Sequence, residues 1–314
     1  MINFRYHVVS LTAVFLALAI GLVVGTAALN GPVADSLKEQ VQSVSKDNSN
    51  LRDQQNQYRD ELRRAQVFST EVAPALLNGK LTGRKILVLA LPNTQKYADQ
   101  VIAMLQVAGA TITAKVSVQE KFFEPVNGVE LLDLAEQASQ PTVPAAGLPM
   151  NSDGVETSSA LLARALQQQP APVSAADLTS VLAAYAEPGY IAADEVDGKA
   201  PAGGAEATVI VSALPPTDTD AAKKSQNAVM LTTQFAGDDR PLVVAGDGAV
   251  DGNLVAEVRA DPILVKQIST VDNASSAQGQ LATALCVVER VVQAKVGQYG
   301  LAAGATSLVP KAAA

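Results

Sequence analysis

Lys85–Leu91 reads KILVLAL, an apolar run that begins two residues after Gly83. A run of this kind is typical of a strand buried on both faces, as in a parallel sheet covered by helices. A helical pattern follows from Thr94 to Ala108 and stops at Gly109, and Thr111–Val118 (TITAKVSV) then has the character of a second strand. The chain therefore alternates strand and helix from the start of its globular part.

The same alternation continues toward the C-terminus. Ala207–Leu214, Leu242–Ala245 and Lys266–Val271 predict further strands, and a helix is expected from about Ser276 to Lys295. Strands that alternate with helices need right-handed crossovers, so the pattern predicts an α/β fold with a doubly wound, mostly parallel, Rossmann-like sheet. We expect this domain over residues 80–300, followed by a flexible Gly- and Ala-rich tail over 301–314.

Two segments interrupt the alternation, 139–157 and 194–205, and both are rich in Pro, Gly and small polar residues. That composition predicts loops. Between them we expect two amphipathic helices, Ser159–Gln168 and Ala175–Ala186, the second with Ser174 as its N-cap.

The N-terminal segment Val8–Leu29 is a 22-residue stretch without a charge. As a helix it would span ~33 Å, enough for a hydrocarbon core of ~30 Å. Residues 1–30 are therefore predicted to be a cytoplasmic start and a transmembrane anchor, with Arg5 favouring a cytoplasmic N-terminus. A cleaved signal peptide ending at Thr26-Ala27-Ala28 is the alternative, which the length of the apolar segment disfavours.

Small residues recur every four positions along the anchor, ending in Gly21 and Gly25. Such a stripe lets two helix backbones approach closely. After Gly31-Pro32 a polar segment, 31–70, places its few apolar residues in heptad phase and predicts a coiled-coil stalk. Its a and d positions are Ala34, Leu37, Val41, Val44, Asn48, Leu51, Gln55, Tyr58, Leu62 and Ala65.

This seam is too narrow for a lone helix to be stable, so it calls for a second helix. A parallel homodimer is favoured over a helix that packs back on its own domain, because the anchors would place two chains side by side. We therefore predict a dimer interface made by Gly21, Gly25, Leu37, Val41, Val44, Asn48, Leu51, Tyr58 and Leu62.

The reactive side chains exclude several classes of function. The formal net charge is −8 and no basic run exceeds two residues, so a nucleic-acid partner is not expected. His7, at the cytoplasmic end of the anchor, is the only histidine, which leaves no partner for a Ser or Cys nucleophile and no Cys/His zinc site. Cys286 lies mid-helix among apolar residues and is expected to be buried. We predict no catalytic residue, no metal site and no cofactor.

A nucleotide would be the expected ligand of a doubly wound sheet, but no glycine follows the first strand before Gly109, so the NAD fingerprint fails. The remaining candidate ligand loop follows the strand Leu242–Ala245. Its residues, together with one aspartate further on, are Gly246, Asp247, Gly248, Asp251 and Asp272. An EF-hand match fails here, and a structural turn is the favoured interpretation. The carboxylate pairs Asp238-Asp239 and Asp194-Glu195 are expected to be solvated.

Three blocks in the sequence resemble the actinobacterial copper transport protein B family. They are Arg5-x-His7 followed by VVSLTAVFLALAIGLVVG, Ile268–Asn273 (ISTVDN) with Gly279-Gln280, and Gly297-x-Tyr299-Gly300. The order of anchor, coiled coil and α/β domain is similar over essentially the whole chain. The resemblance implies copper efflux with pore formation in the outer membrane. It also implies a role in septal cell-wall remodelling beside a second membrane protein.

Copper chemistry argues against a direct conduit. Copper(I) prefers Cys and Met and copper(II) prefers imidazole, whereas Cys286, Met104, Met150 and Met230 are scattered and no histidine follows the anchor. An outer-membrane pore would need many strands of ~10 residues with alternating apolar and polar side chains, and the sequence does not show them. The favoured hypothesis is a non-enzymatic dimeric scaffold outside the cell membrane that binds a second envelope membrane protein. A copper homeostasis component is the alternative, and an enzyme acting through Asp247, Asp251 or Asp272 is the third hypothesis.

Overall fold

The computed structural model describes residues 4–29, 32–149 and 153–311. The chain divides into two compact units, Met1–Arg64 and Ala65–Ala314. The first consists of helix α1, Phe4–Leu29, and most of helix α2, Pro32–Leu77. The segment Phe4–Ala27 of α1 has a mean hydropathy of 2.6, is not buried, and is long and apolar enough to cross a membrane. The predicted anchor is thus a continuous apolar helix.

Helix α2 is 46 residues long. Its predicted heptad segment is helical throughout the described residues, and its pairing with another chain stays a prediction. The last turns of α2 belong to the second unit, where Ser69, Ala73 and Leu77 are buried in the domain core. The helix therefore ends as part of the domain itself.

The second unit is built on one mixed sheet of mostly parallel strands. The strands found within the described residues are β1 Lys85–Ala90, β2 Thr111–Val118, β3 Ile191–Asp194, β4 Ala207–Val211, β5 Leu242–Ala245, β6 Ser269–Val271 and β7 Gln298–Tyr299. Their order in the sheet is β3-β2-β1-β4-β5-β6-β7, and β3 alone among these runs antiparallel to its neighbour. The prediction of a mostly parallel sheet is confirmed.

Helices connect the strands. They are α3 Gln95–Val107, α4 Gly128–Gln137, α5 Gly154–Leu166, α6 Ala175–Ala186, α7 Ala221–Ala236, α8 Leu254–Ala260, α9 Leu264–Gln267 and α10 Ala277–Gln293. Short 3₁₀ turns lie at Glu120–Phe123, Pro125–Asn127 and Gly237–Asp239.

The first strand shows why its sequence is apolar throughout. Ile86 and Val88 point into a core cluster that includes residues of α3 and α10, whereas Leu87 and Leu89 point into a second cluster with residues of α5 and α7. Successive side chains of a strand alternate between faces, so a sheet covered on both sides needs apolar residues at every position.

Several predicted boundaries were wrong for local reasons. Helix α5 begins at Gly154, inside the predicted loop 139–157, because the Asp153 carboxylate accepts a hydrogen bond from the Val155 amide at 3.1 Å and caps the helix. The predicted strand Lys266–Val271 is helical up to Gln267, and the strand spans Ser269–Val271. Strand β3 begins three residues before the predicted loop 194–205 and was not foreseen.

Candidate functional site

The order of the strands reverses at β1: β2 and β3 lie on one side of β1, and β4 begins the series on the other side. The loops after β1 and β4 therefore diverge, and folds of this kind form a crevice at such a place, outside the carboxyl ends of the strands. A cavity of about 530 Å³ lies here. We call it the strand-end cleft.

One part of the strand-end cleft is apolar. Its apolar lining residues are Leu91, Pro92, Tyr97, Phe123, Ala213, Leu214, Pro215, Pro216, Ala228 and Leu254. Leu214, on the loop after β4, is 61 % exposed and Phe123 is buried. The cleft thus offers apolar surface from its exposed edge to its interior.

The other part carries charge around Lys224, in the first turn of α7. Its ammonium lies 2.5 Å from an oxygen of Asp218 and 2.7 Å from an oxygen of Glu120. The hydrogen bonds to Asp218 and then Glu120 raise the pKa of Lys224 above its usual value, and the bond to Lys224 lowers the pKa of Asp218. Lys224 is therefore a charged lysine whose charge the two carboxylates balance.

Of the predicted ligand loop, Asp247 lines the strand-end cleft. Its Oδ1 accepts a hydrogen bond from the Ser275 hydroxyl at 2.6 Å. Close packing requires a glycine at position 246, because a Cβ there would lie 2.5 Å from a methyl carbon of Val255 and 2.9 Å from the Ser212 hydroxyl. Gly248 and Asp251 do not line the cleft.

Asp272 lies elsewhere, in a buried network with Arg259. Their side chains are 1 % and 6 % exposed and lie 2.8 Å apart. The Asp272 carboxylate also accepts hydrogen bonds from the Leu301 amide at 2.7 Å and the Ala302 amide at 3.0 Å, and Arg259 donates to the carbonyl of Tyr299. Asp272 thus holds the start of the C-terminal tail.

The remaining reactive groups do not converge. Within the described ranges, no group of three or more His, Cys, Asp and Glu side chains could hold a metal ion. Cys286 is buried, and burial raises the pKa of its thiol to about 12. Met104 is buried in the core cluster on the α3 and α10 side of the sheet, and Met230 packs, partly buried, against the cluster on the opposite side. Met150 lies outside the described residues.

The predicted carboxylate pairs are partly engaged. Asp239 contacts the buried guanidinium of Arg290 at 3.1 Å. Asp194 lies 3.2 Å from the ammonium of Lys115, and this ammonium also contacts the Asp99 carboxylate. Both contacts link separate elements of the domain.

The predicted dimer seam is exposed. The apolar members Leu37, Val41, Val44, Leu51, Tyr58 and Leu62 are between 56 and 67 % exposed. A Cβ added at Gly21 or Gly25 would meet nothing within 4 Å. The apolar side chains of the predicted seam are therefore largely exposed in the single chain.

Glu120, Asp218 and Lys224 at the cleft were not singled out by sequence reasoning. Glu120 precedes Lys224 by 104 residues, so no local spacing relates them. Glu120 does follow strand β2 closely, and a residue at the carboxyl end of a strand was the signal that could have found it.

Comparison with known proteins assigns the family. A model of the family described as "Copper transport outer membrane protein, MctB" matches residues 1–310. The chain belongs to this family. The resemblance that its sequence motifs indicated is confirmed.

Curated relatives agree along the whole chain. The copper transporter MctB of Mycobacterium tuberculosis (strain ATCC 25618 / H37Rv) is 30 % identical over 323 residues, which cover 98 % of this chain and 99 % of the relative. The copper transporter MctB of Mycobacterium leprae (strain TN) is 27 % identical over 318 residues, with the same coverage. Among the described residues, α1 is the one helix long and apolar enough to cross a membrane, which fits a membrane-anchored member of the family.

Proposed function

We propose that this chain is a non-enzymatic, dimeric scaffold that is anchored in the cell membrane. Its N-terminus is cytoplasmic, and its Rossmann-like domain lies in the cell envelope and binds a second membrane protein there, in septal peptidoglycan remodelling. The observation that carries the proposal is the exposed apolar seam of α2, because apolar residues at a and d positions gain stability by packing against a second helix.

The Rossmann-like assignment rests on the strand order. The segment β3-β2-β1-β4-β5-β6 follows the order of a dinucleotide-binding sheet, with an antiparallel β3. The turn after β1 carries Pro92 and Asn93 instead of glycines, so the backbone cannot approach a pyrophosphate in the usual way. We therefore assign the domain no nucleotide cofactor.

The dimer predicts a specific cross-link. Leu51→Cys in the full chain in membranes should form a disulfide-linked dimer on mild oxidation, since a d position faces its counterpart in a parallel pair. Asp53→Cys, two residues on and on the outer face, is the matched control and should give several-fold less. The native thiol does not compete, because a pKa of about 12 keeps Cys286 protonated at pH 8.

Equal yields of dimer from both variants, or no dimer from Leu51→Cys on a non-reducing gel, would contradict the predicted seam.

A bifunctional cross-linking reagent applied to intact cells should capture a second membrane protein on this chain. Recovery of self-dimers alone would contradict the partner.

Copper homeostasis is the second candidate, and the description of the family favours it. The positions of the soft ligands speak against direct copper(I) binding by this chain, since Cys286 is a buried neutral thiol and Met104 is a core residue. A copper phenotype would then need ligands from a partner.

Growth of a deletion strain separates the two candidates. On matched copper and zinc gradients, the scaffold hypothesis predicts that the deletion strain tolerates both metals as the parent strain does, or is equally sensitive to both because its envelope leaks. Sensitivity to copper alone, restored by the wild-type chain, would establish the copper role and displace the scaffold as the primary function.

A further inference from the structure

The strand-end cleft has the size and position of a ligand site. Its volume of about 530 Å³ lies within the range of about 300–1,000 Å³ that is typical of small-molecule pockets. It also opens at the reversal of strand order, where α/β sheets bind their ligands. Among the described residues that line it, Ser212 is 3 % exposed and its hydroxyl makes no hydrogen bond. A buried hydroxyl without a partner costs stability, so a ligand that bonds it would relieve that cost.

The charges of the cleft disfavour an anionic ligand. Glu120, Asp218 and Asp247 line it together with Lys224, so three carboxylates face one ammonium. Lys224 is already bound by two of them, at 2.5 and 2.7 Å. A phosphate would therefore meet a net negative surface and no available cation.

The N-terminus of a helix that points at the cleft offsets part of the negative charge of its carboxylates. Tyr97 lies in the first turn of α3 and Lys224 in the first turn of α7, and both line the cleft. Helix α3 has no side-chain cap at its N-terminus, so its first amide N–H groups present a positive partial charge there. At α7 the Asp218 carboxylate already accepts a hydrogen bond from the Asp220 amide at 3.2 Å. Amide donors and carboxylate acceptors side by side suit an uncharged ligand that both donates and accepts.

We propose that the strand-end cleft binds a neutral sugar. The sugar hydroxyls would donate to the Oδ2 atom of Asp247, which makes no hydrogen bond within the described residues. They would also donate to, or accept from, the hydroxyl of Ser212. The apolar wall formed by Tyr97, Phe123 and Leu214 matches the C–H face of a pyranose ring. This site is independent of the dimer and of the protein partner.

The test is ligand-observed saturation-transfer NMR on the full chain in lauryldimethylamine oxide micelles, whose headgroup carries no sugar. Glucose, N-acetylglucosamine and cellobiose are the probes. At least one of them should bind, and Asp247→Asn should weaken that binding about tenfold, because the variant keeps the acceptor for Ser275 but loses the charged acceptor. Tyr97→Ala should have a similar effect. Asp251→Asn, in the same loop but outside the lining, is the matched control and should bind as the wild type does.

Three results would overturn the sugar site. They are no binding of any neutral probe, tighter binding of glucose 6-phosphate or of glucosamine than of glucose, and an equal effect of Asp247→Asn and Asp251→Asn. Thermal unfolding of each variant shows whether it is folded, and Asp247→Asn decides the outcome if Tyr97→Ala is unstable.

Discussion

Asp272→Ala should lower the free energy of unfolding of the domain by about 3–5 kcal/mol, because it leaves the guanidinium of Arg259 buried without its countercharge. The two side chains are 1 % and 6 % exposed, so water cannot replace the lost partner. The change also removes the acceptor for the Leu301 and Ala302 amides. For a domain of this size the melting temperature should fall by about 10 °C.

Scanning calorimetry of the full chain in detergent measures this effect. Asp251→Ala is the matched control, since Asp251 is exposed on the loop after β5, and its melting temperature should stay within about 1 °C of the wild type. A shift of less than about 2 °C for Asp272→Ala would show that the buried pair contributes little.

Gly154→Ala should destabilise the domain by about 3 kcal/mol, at the upper end of what overpacking costs. A Cβ at Gly154 would lie 1.9 Å from the carbonyl oxygen of Gly128 and 2.6 Å from the amide of Leu132. Both atoms are backbone of α4, so relief requires α4 and α5 to separate rather than a side chain to rotate. The two helices pack closely at this point because residue 154 has no side chain.

Gly128→Ala is the matched control on the other side of this contact. A Cβ there would meet nothing within 4 Å, and its φ is −57°, so alanine should be neutral or stabilising by up to about 1 kcal/mol. Urea denaturation of both variants measures the difference in free energy of unfolding. Equal stability of the two variants would contradict the close approach of the helices.

Local patterns of apolar and polar residues in the sequence were sufficient to predict the framework of the fold. The runs at Lys85–Leu91 and Thr111–Val118 predicted strands that the structure places side by side. Ser174 was predicted as the N-cap of α6, and its hydroxyl accepts a hydrogen bond from the backbone amide of Asp177 at 3.1 Å. These features depend on local side-chain chemistry, which the sequence displays directly. Strand β3 was missed because its four residues form a strand by pairing with β2, 70 or more residues earlier in the chain.

The candidate site was predictable only in part. Glycines and aspartates after β5 indicated a loop at the carboxyl edge of the sheet, and Asp247 lines the cleft there. Asp272 had the same residue type and a similar place after a strand, yet it is buried against Arg259. Whether an aspartate faces a cavity or a guanidinium depends on which distant segments pack around it, and a sequence pattern does not contain that information.

By itself the sequence determined the apolar helix, the heptad pattern of α2, the mostly parallel sheet and the family. Each follows from periodicity or from motifs, because hydrophobic burial repeats with the geometry of the helix or strand. The tertiary structure alone decided that Glu120, Asp218 and Lys224 meet at one cleft and that Gly154 must lack a side chain. Those facts arise from contacts between residues far apart in the chain, whose distances are set by the packing of the whole domain.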